Sequence, residues 1–380
     1  EGRFVLYSIP DYYKEFVCTA DQCEDTCCAG WQIMVDRKSL DRYHCVRGAF
    51  KKDLRRGINW KEGTFRQSKE KRCAFLDEDN LCRMYKNLGE KSLCRTCRLY
   101  PRHIEEFENV REITLSVSCP EVAKLLLKKE EPVRFLSYEK EGEETYEEFD
   151  YLLYSMLADA REVMIGIAQN RDKPLGERIL LVLGLAHDIE RRVRSGNLFT
   201  CEELFDKYES EAAEKFVRCR LEYYIMQADN RCEDVRNQFQ KLYRLEVLKE
   251  DWRRVLYESE LLLYKEGNKA YNENCRKYEQ WMDEQIPDWK MKCEQLFVYF
   301  LYTYFCGAVY DARVYGKVQM AAVSVLLISE LWKARWIRNE GYLDLEDMTE
   351  IVYRYSRELE HSDENLELFE MMMEKTKIFV

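Results

Sequence analysis

The second half of the chain alternates apolar and polar residues with the period of an α-helix. In "ERILLVLGLAHDIERRV", Ile179, Leu180, Leu183, Ala186 and Ile189 recur close to every 3.6 residues. The stretch "FQKLYRLEVLKEDWRRVLYESELLLY" repeats the pattern with Phe239, Leu242, Tyr243, Leu256 and Leu261. Beyond position 132 the prolines are Pro174 and Pro287, so long helices are permitted. The apolar run "LFVYFLYTYFCGAVY" at 296–310 has 15 residues, short of the roughly 18 to 20 that span a bilayer, and predicts a buried helix.

The first 120 residues follow no such period. Turn signals such as "CAG", "RRGIN", "KEGT", "DEDN" and "YPRH" interrupt short helical or extended pieces. In "SCPEVAKLLLKK" a helix is expected, with Ser118 as N-cap, Pro120 near its start, Glu121 three residues after the cap, and Val122, Leu125 and Leu126 on one face. The charged stretch around Pro132 and Gly142 reads as a linker. The expected fold class is therefore mainly α: a cysteine-rich module at 1–130, a charged linker at 131–148 and an all-α domain at 149–380, with no internal repeat.

Length and charge narrow the function. A chain of 380 residues buries a core without crosslinks. With a net charge of −11 it is a poor binder of phosphate backbones, so no nucleic acid partner is expected and a basic one suits it better. No targeting segment or membrane span is evident, although "EGRFVLYSIP" opens without an initiator Met. A cytoplasmic location is expected, and the oligomeric state is left open.

The cysteines change the picture most. Of 16, ten fall at or before Cys119; Cys201, Cys219, Cys232, Cys275, Cys293 and Cys306 are scattered through helical patterns, where a thiol serves as a small buried apolar group. Nine in the front form a candidate metal set: Cys18, Cys23, Cys27, Cys28, Cys73, Cys82, Cys94, Cys97 and Cys119. Cys94 and Cys97 have the C-x2-C spacing with which one turn presents two thiolates to one metal. The chain has four histidines (His44, His103, His187 and His361), none at H-x3-5-H spacing, so a metal here would be held by sulfur, as in four-cysteine zinc or an iron-sulfur cluster. Consecutive side chains project in different directions, so Cys27 and Cys28 are not expected to serve one centre together.

The order "IPDYYKEFVC", "CEDTCCAGW", "CAFL", "LCRMYKNLGEKSLCRTCRLYPR" and "YSRELEHSDEN" resembles the flagellin lysine N-methylase family, and its front is similar to the broader zinc- or iron-chelating CxxCxxCC group. "CTADQCEDTCC" spaces its thiols more widely than that group. The resemblance implies methyl transfer from S-adenosylmethionine to lysine ε-amines of flagellin. It also implies an iron-sulfur cluster, 4Fe-4S in type, on four of the nine cysteines, with zinc as the alternative. No G-x-G-x-G turn is present, so a Rossmann-type donor site is not expected. Nor does a C-x3-C-x2-C triplet occur, because Gly30 stands where the third thiol would follow Cys23 and Cys27. Arg357, Glu360, His361 and Glu364 fall at i, i+3, i+4 and i+7, a polar helix face that offers the first three as candidate catalytic residues. Two other readings fit the same residues: an iron-sulfur electron-transfer protein, and a non-enzymatic helical scaffold around structural zinc.

Overall fold

The computed structural model describes residues 4–142, 150–226 and 231–375. The chain divides into two compact units, Glu1–Leu125 with Phe135–Glu143, and Leu126–Arg134 with Glu144–Val380.

The first unit contains β1 (Phe4–Pro10), α1 (Arg37–Cys45), α2 (Lys51–Gly57), β2 (Ile58–Asn59), β3 (Thr64–Phe65), α3 (Arg83–Leu88), α4 (Arg95–Leu99), β4 (Arg102–Phe107) and β5 (Val110–Leu115). Helix α5 (Pro120–Lys128) follows, and strand β6 (Phe135–Glu141) completes the unit. Its sheet has the order β4-β5-β1-β6. β4 and β5 form a hairpin from Arg102↔Leu115 to Phe107↔Val110. β1 runs parallel to β5 and antiparallel to β6, from Phe4↔Glu141 to Pro10↔Phe135. Part of the expected linker at 131–148 is thus a strand, because "FLSYEKE" pairs along all of β1; residues 143–149 lie outside the described residues. Helix α5 starts at Pro120, which occupies the first helical position, so Ser118 lies two residues before it.

A second core lies among α1 to α4, where Tyr43, Leu54, Ile58, Phe65, Phe75 and Met84 are almost fully buried. Asp36 ties this region together: its carboxylate accepts the Ser39 N–H at 3.0 Å as the cap of α1. It also accepts the Arg95 N–H at 2.8 Å at the start of α4.

The second unit is helical, as expected: α6 (Tyr151–Ala168), α7 (Leu175–Arg194), α8 (Glu202–Tyr208), α9 (Glu211–Met226), α10 (Arg231–Gln240) and α11 (Trp252–Tyr264). It continues through α12 (Gly267–Gln285), α13 (Trp289–Tyr304), α14 (Ala308–Asp311), α15 (Val314–Arg338), α16 (Leu345–Glu360) and α17 (Asp363–Glu374). The run at 296–310 falls largely in α13, which is buried on nearly every side. Among the described residues, α15 is long and apolar enough to cross a membrane, and 89% of its most apolar window is buried inside the protein. The periodic stretch from Phe239 to Tyr264 is not one helix. It breaks between α10 and α11, where the Glu358 carboxylate of α16 accepts the N–H groups of Leu248 at 2.7 Å and Lys249 at 2.8 Å.

The helical core carries buried ion pairs. Glu294, fully buried on α13, is held by Arg178 at 2.5 Å and Arg171 at 2.9 Å. Glu330 and Lys333, both on α15, pair at 2.6 Å. Glu330 also accepts the hydroxyls of Tyr264 at 2.9 Å and Tyr271 at 3.1 Å, and the Lys333 ammonium lies 3.1 Å from the Cys275 sulfur. Burial alone would push the Lys333 ammonium down, but the charges of Glu330 and Cys275 hold its pKa above the ordinary lysine value.

Candidate functional site

In the first unit, local structure gathers five of the nine candidate cysteines. The Cys73 N–H donates to the Cys28 carbonyl at 2.9 Å, placing "CCAG" beside "RCAF". The loop from Cys73 to Cys82 closes on Asp77, whose Oδ1 accepts the Leu81 N–H at 2.8 Å, and on Arg72, which donates to Asn80 Oδ1 at 2.8 Å. Cys82 then stands at the N-cap of α3 and Cys94 at the N-cap of α4, with Cys97 one turn further on. Cys73 and Cys94 belong to the core of α1 to α4, and Cys28, Cys82 and Cys97 pack against it.

Their thiols sense one another. Burial pushes Cys73 up to about 12, aided by the charges of Cys28, Cys82 and Cys94. Burial also raises Cys82. The Cys94–Cys97 hydrogen bond lowers Cys94 and raises Cys97. Cys28 is lowered to about 7, chiefly by a hydrogen bond from Cys27, with help from Thr26 and the nearby Arg72 charge. The vicinal pair is thus unequal: Cys28 packs against the core, and the hydrogen bond to Cys27 lowers it.

The other candidates lie elsewhere. Cys18 is exposed, the Cys23 thiol donates to the Asp25 carbonyl at 3.4 Å, and Cys119 is buried at the start of α5 outside that core. Among the described residues, no three His, Cys, Asp or Glu side chains are grouped closely enough to hold one metal ion. Sulfur is the donor type of the gathered set, which is the chemistry that zinc and iron-sulfur clusters demand.

In the second unit, α16 carries Arg357 and Glu360 of the expected polar face, and His361 is its C-cap. The helix ends at Glu360, and Ser362 caps α17, so Glu364 sits exposed in the next helix rather than beside Glu360. Glu360 is the centre of a small constellation: one carboxylate oxygen accepts the Tyr299 hydroxyl at 2.6 Å and the Tyr304 hydroxyl at 2.7 Å, both from the α13 end. Arg357 is 7% exposed and stacks over the Tyr353 ring at 5.1 Å. His361 follows directly, its pKa driven down to about 3 by burial and by Arg357, so its imidazole is neutral at pH 7.

Sequence reasoning missed Tyr299 and Tyr304 because they belong to a run whose apolar character dominated. It also missed Glu358, Glu330 and Lys333, whose burial is decided by distant partners. One smaller expectation fails: Cys219 is exposed rather than buried. His187 lies at the surface beside Asp188 at 3.3 Å.

The region from Arg161 onward matches the FliB lysine N-methylase C-terminal domain, over residues 161–380. The chain is 32% identical over 127 residues to the flagellar biosynthetic protein FliU of Salmonella muenchen, covering 31% of this chain and 75% of that protein. It is equally similar to the lysine-N-methylases of Salmonella typhimurium and Salmonella choleraesuis, again over 31% of this chain but 31% of theirs. The match to those two spans less than a third of their length. No solved structure matches. This chain belongs to the FliB lysine N-methylase family.

Proposed function

We propose that the protein transfers a methyl group from S-adenosylmethionine to the ε-amine of lysines on flagellin, in the cytoplasm, and that thiols of its first unit hold a metal centre. The observation that carries the reading is the Glu360 constellation inside the region that matches the lysine N-methylase domain.

Both reactants bring positive charge. The donor is a sulfonium, and the acceptor arrives as an ammonium with a reference pKa near 10.4 that must lose a proton before its nitrogen attacks. The Glu360 carboxylate, oriented by two phenols, attracts such cations and is a candidate acceptor for the released proton. The neutral His361 adds no charge to repel them, and tyrosine rings offer faces to a sulfonium. In the transfer the sulfur–methyl bond breaks with its electron pair returning to sulfur, a nitrogen–methyl bond forms, and the proton leaves to a base.

For the metal, Cys28, Cys73, Cys82, Cys94 and Cys97 are the proposed donors, and four of them would have to draw closer together to hold a 4Fe-4S cluster or zinc. An iron-sulfur cluster would add a redox-active centre, and zinc a structural one. Cysteines bind as thiolates, so loading would release protons.

The test is incubation of the anaerobically prepared chain with flagellin and labelled donor. Label on flagellin lysines, strongly reduced in Glu360→Gln, is the expected result. No incorporation by metal-loaded protein would remove the reading. In that event a coloured, redox-active protein favours electron transfer, and a colourless zinc protein that binds no donor favours a scaffold.

A further inference from the structure

The net charge of the chain conceals a strong internal contrast. From Asp36 to Arg102 there are 19 Lys and Arg against nine Asp and Glu, a balance of +10 in a chain that totals −11, which leaves −21 for the rest. This segment lies wholly within the first unit.

Its sharpest expression is at α2. Lys51, Lys52, Arg55 and Arg56 occupy four of the seven positions of this helix, and Lys52, Arg55 and Arg56 are exposed while Leu54 and Gly57 turn inward. Arg47 before the helix and Lys61 after it are exposed as well. The acidic residue of the helix, Asp53, is already engaged by Arg83 at 2.7 Å. Among the described residues, none of Arg47, Lys52, Arg55, Arg56 and Lys61 takes part in an ion pair. Like charges held this close repel one another, and a chain whose purpose was stability alone would intersperse carboxylates as α12 does with Glu273, Arg276 and Lys277.

We propose that this ridge is a docking surface for an acidic stretch of the protein substrate, remote in sequence from the Glu360 constellation; the inference rests on the reading that the protein modifies lysines of another protein. The exposed face of α2 carries no apolar side chain to insert into a lipid surface and no aromatic ring on which a base would stack, so a polypeptide carboxylate cluster is the better match. Opposed charges divide the task. The acidic remainder of the chain draws in a lysine-bearing surface, and the ridge holds the carboxylates that accompany it. Such contacts raise the rate of encounter and weaken with salt.

The experiment is titration of fluorescently labelled flagellin monomer with the full chain, wild type against the triple variant K52E/R55E/R56E, from 50 to 300 mM salt. Retained thermal melting would establish that the variant folds. Wild type should bind with an affinity that falls steeply with salt, and the variant should bind roughly tenfold more weakly with a flatter salt dependence. Activity read in parallel should show a raised KM for intact flagellin, an unchanged KM for the methyl donor, and unchanged turnover of a short lysine peptide. Equal binding by variant and wild type would overturn the docking surface even if methylation proceeds. Tighter wild-type binding to an oligonucleotide or to anionic phospholipid vesicles than to flagellin would overturn it too, by assigning the ridge to another class of partner. Absence of methylation with salt-sensitive, ridge-dependent binding intact would count against the proposed reaction alone.

Discussion

Asp36 accepts the backbone N–H of Arg95 at 2.8 Å, from a residue 59 positions further along the sequence. The same carboxylate caps α1 through Ser39. Although burial works to raise it, the donors from Arg95 and Ser39 hold its pKa below the usual aspartate range. Because Arg95 follows Cys94, this one side chain sets where the C-x2-C turn begins. The Thr96 hydroxyl, donating to the Met34 carbonyl at 3.0 Å, fastens the same turn from the other side. Asp36→Ala should cost about 1 to 2 kcal/mol by removing helix caps, and should lower bound metal per chain. Urea melts and metal analysis check the two effects separately.

The five gathered thiols and the four outlying ones should respond differently to substitution. Single changes to Ser at Cys73, Cys82, Cys94 or Cys97 are expected to reduce bound metal severely, and Cys18→Ser to leave it near wild type. Cys28→Ser should lose more than Cys27→Ser, since the Cys28 thiol joins the group that Cys27 supports by hydrogen bonding. Metal content of purified variants, measured elementally, decides the matter; equal losses across all nine would contradict the grouping.

Glu294 has no solvent contact and two guanidinium partners. Glu294→Ala strands Arg178 in the core, and the expected loss is about 3 to 5 kcal/mol, the range for breaking one side of a buried pair. A denaturation midpoint close to wild type would show that the arginines find other partners.

His361 gives a pH dependence whose direction follows from its lowered pKa. An unfolded histidine takes up a proton below about 6.5, whereas the folded one resists until about pH 3. Its contribution is therefore fully present above about 6.5 and lost as the pH falls toward 3. The slope is at most about 1.4 kcal/mol per pH unit. Between pH 7 and pH 5, His361→Gln should lose about 1 to 2 kcal/mol less stability than wild type. Paired urea titrations at the two values test this, and identical slopes would refute it.

The helical unit was legible because α7 and α11 bury their apolar positions with the period that helices require, and because α13 carries a continuous apolar run. What broke the pattern was tertiary. The stretch from Phe239 to Tyr264 is interrupted where Glu358 supplies acceptors to a non-helical segment, a partner more than 100 residues away. In the same way β6 was concealed as a linker, since "FLSYEKE" is charged and its strand character comes from pairing with β1. At the candidate sites, residue type pointed to the cysteines and to the α16 face, but only folding separates Cys28 from Cys27 and removes Glu364 from Glu360. The basic ridge escaped notice for a simpler reason: a net charge averages over the whole chain, and here two opposite signs were summed into one modest number.

The return of the chain to β1 through β6 has a practical meaning for anyone dividing the gene. A front module ended at residue 130 would keep every candidate cysteine yet lack Phe135–Glu141, exposing the hydrogen-bonding edge of β1 along seven residues. Such a fragment is expected to self-associate through that bare edge. The smallest version with a complete sheet extends at least through Glu141, and it must carry with it the Leu126–Arg134 passage that belongs to the other unit. Heredity, in this protein, cannot exchange one unit for another with a single cut.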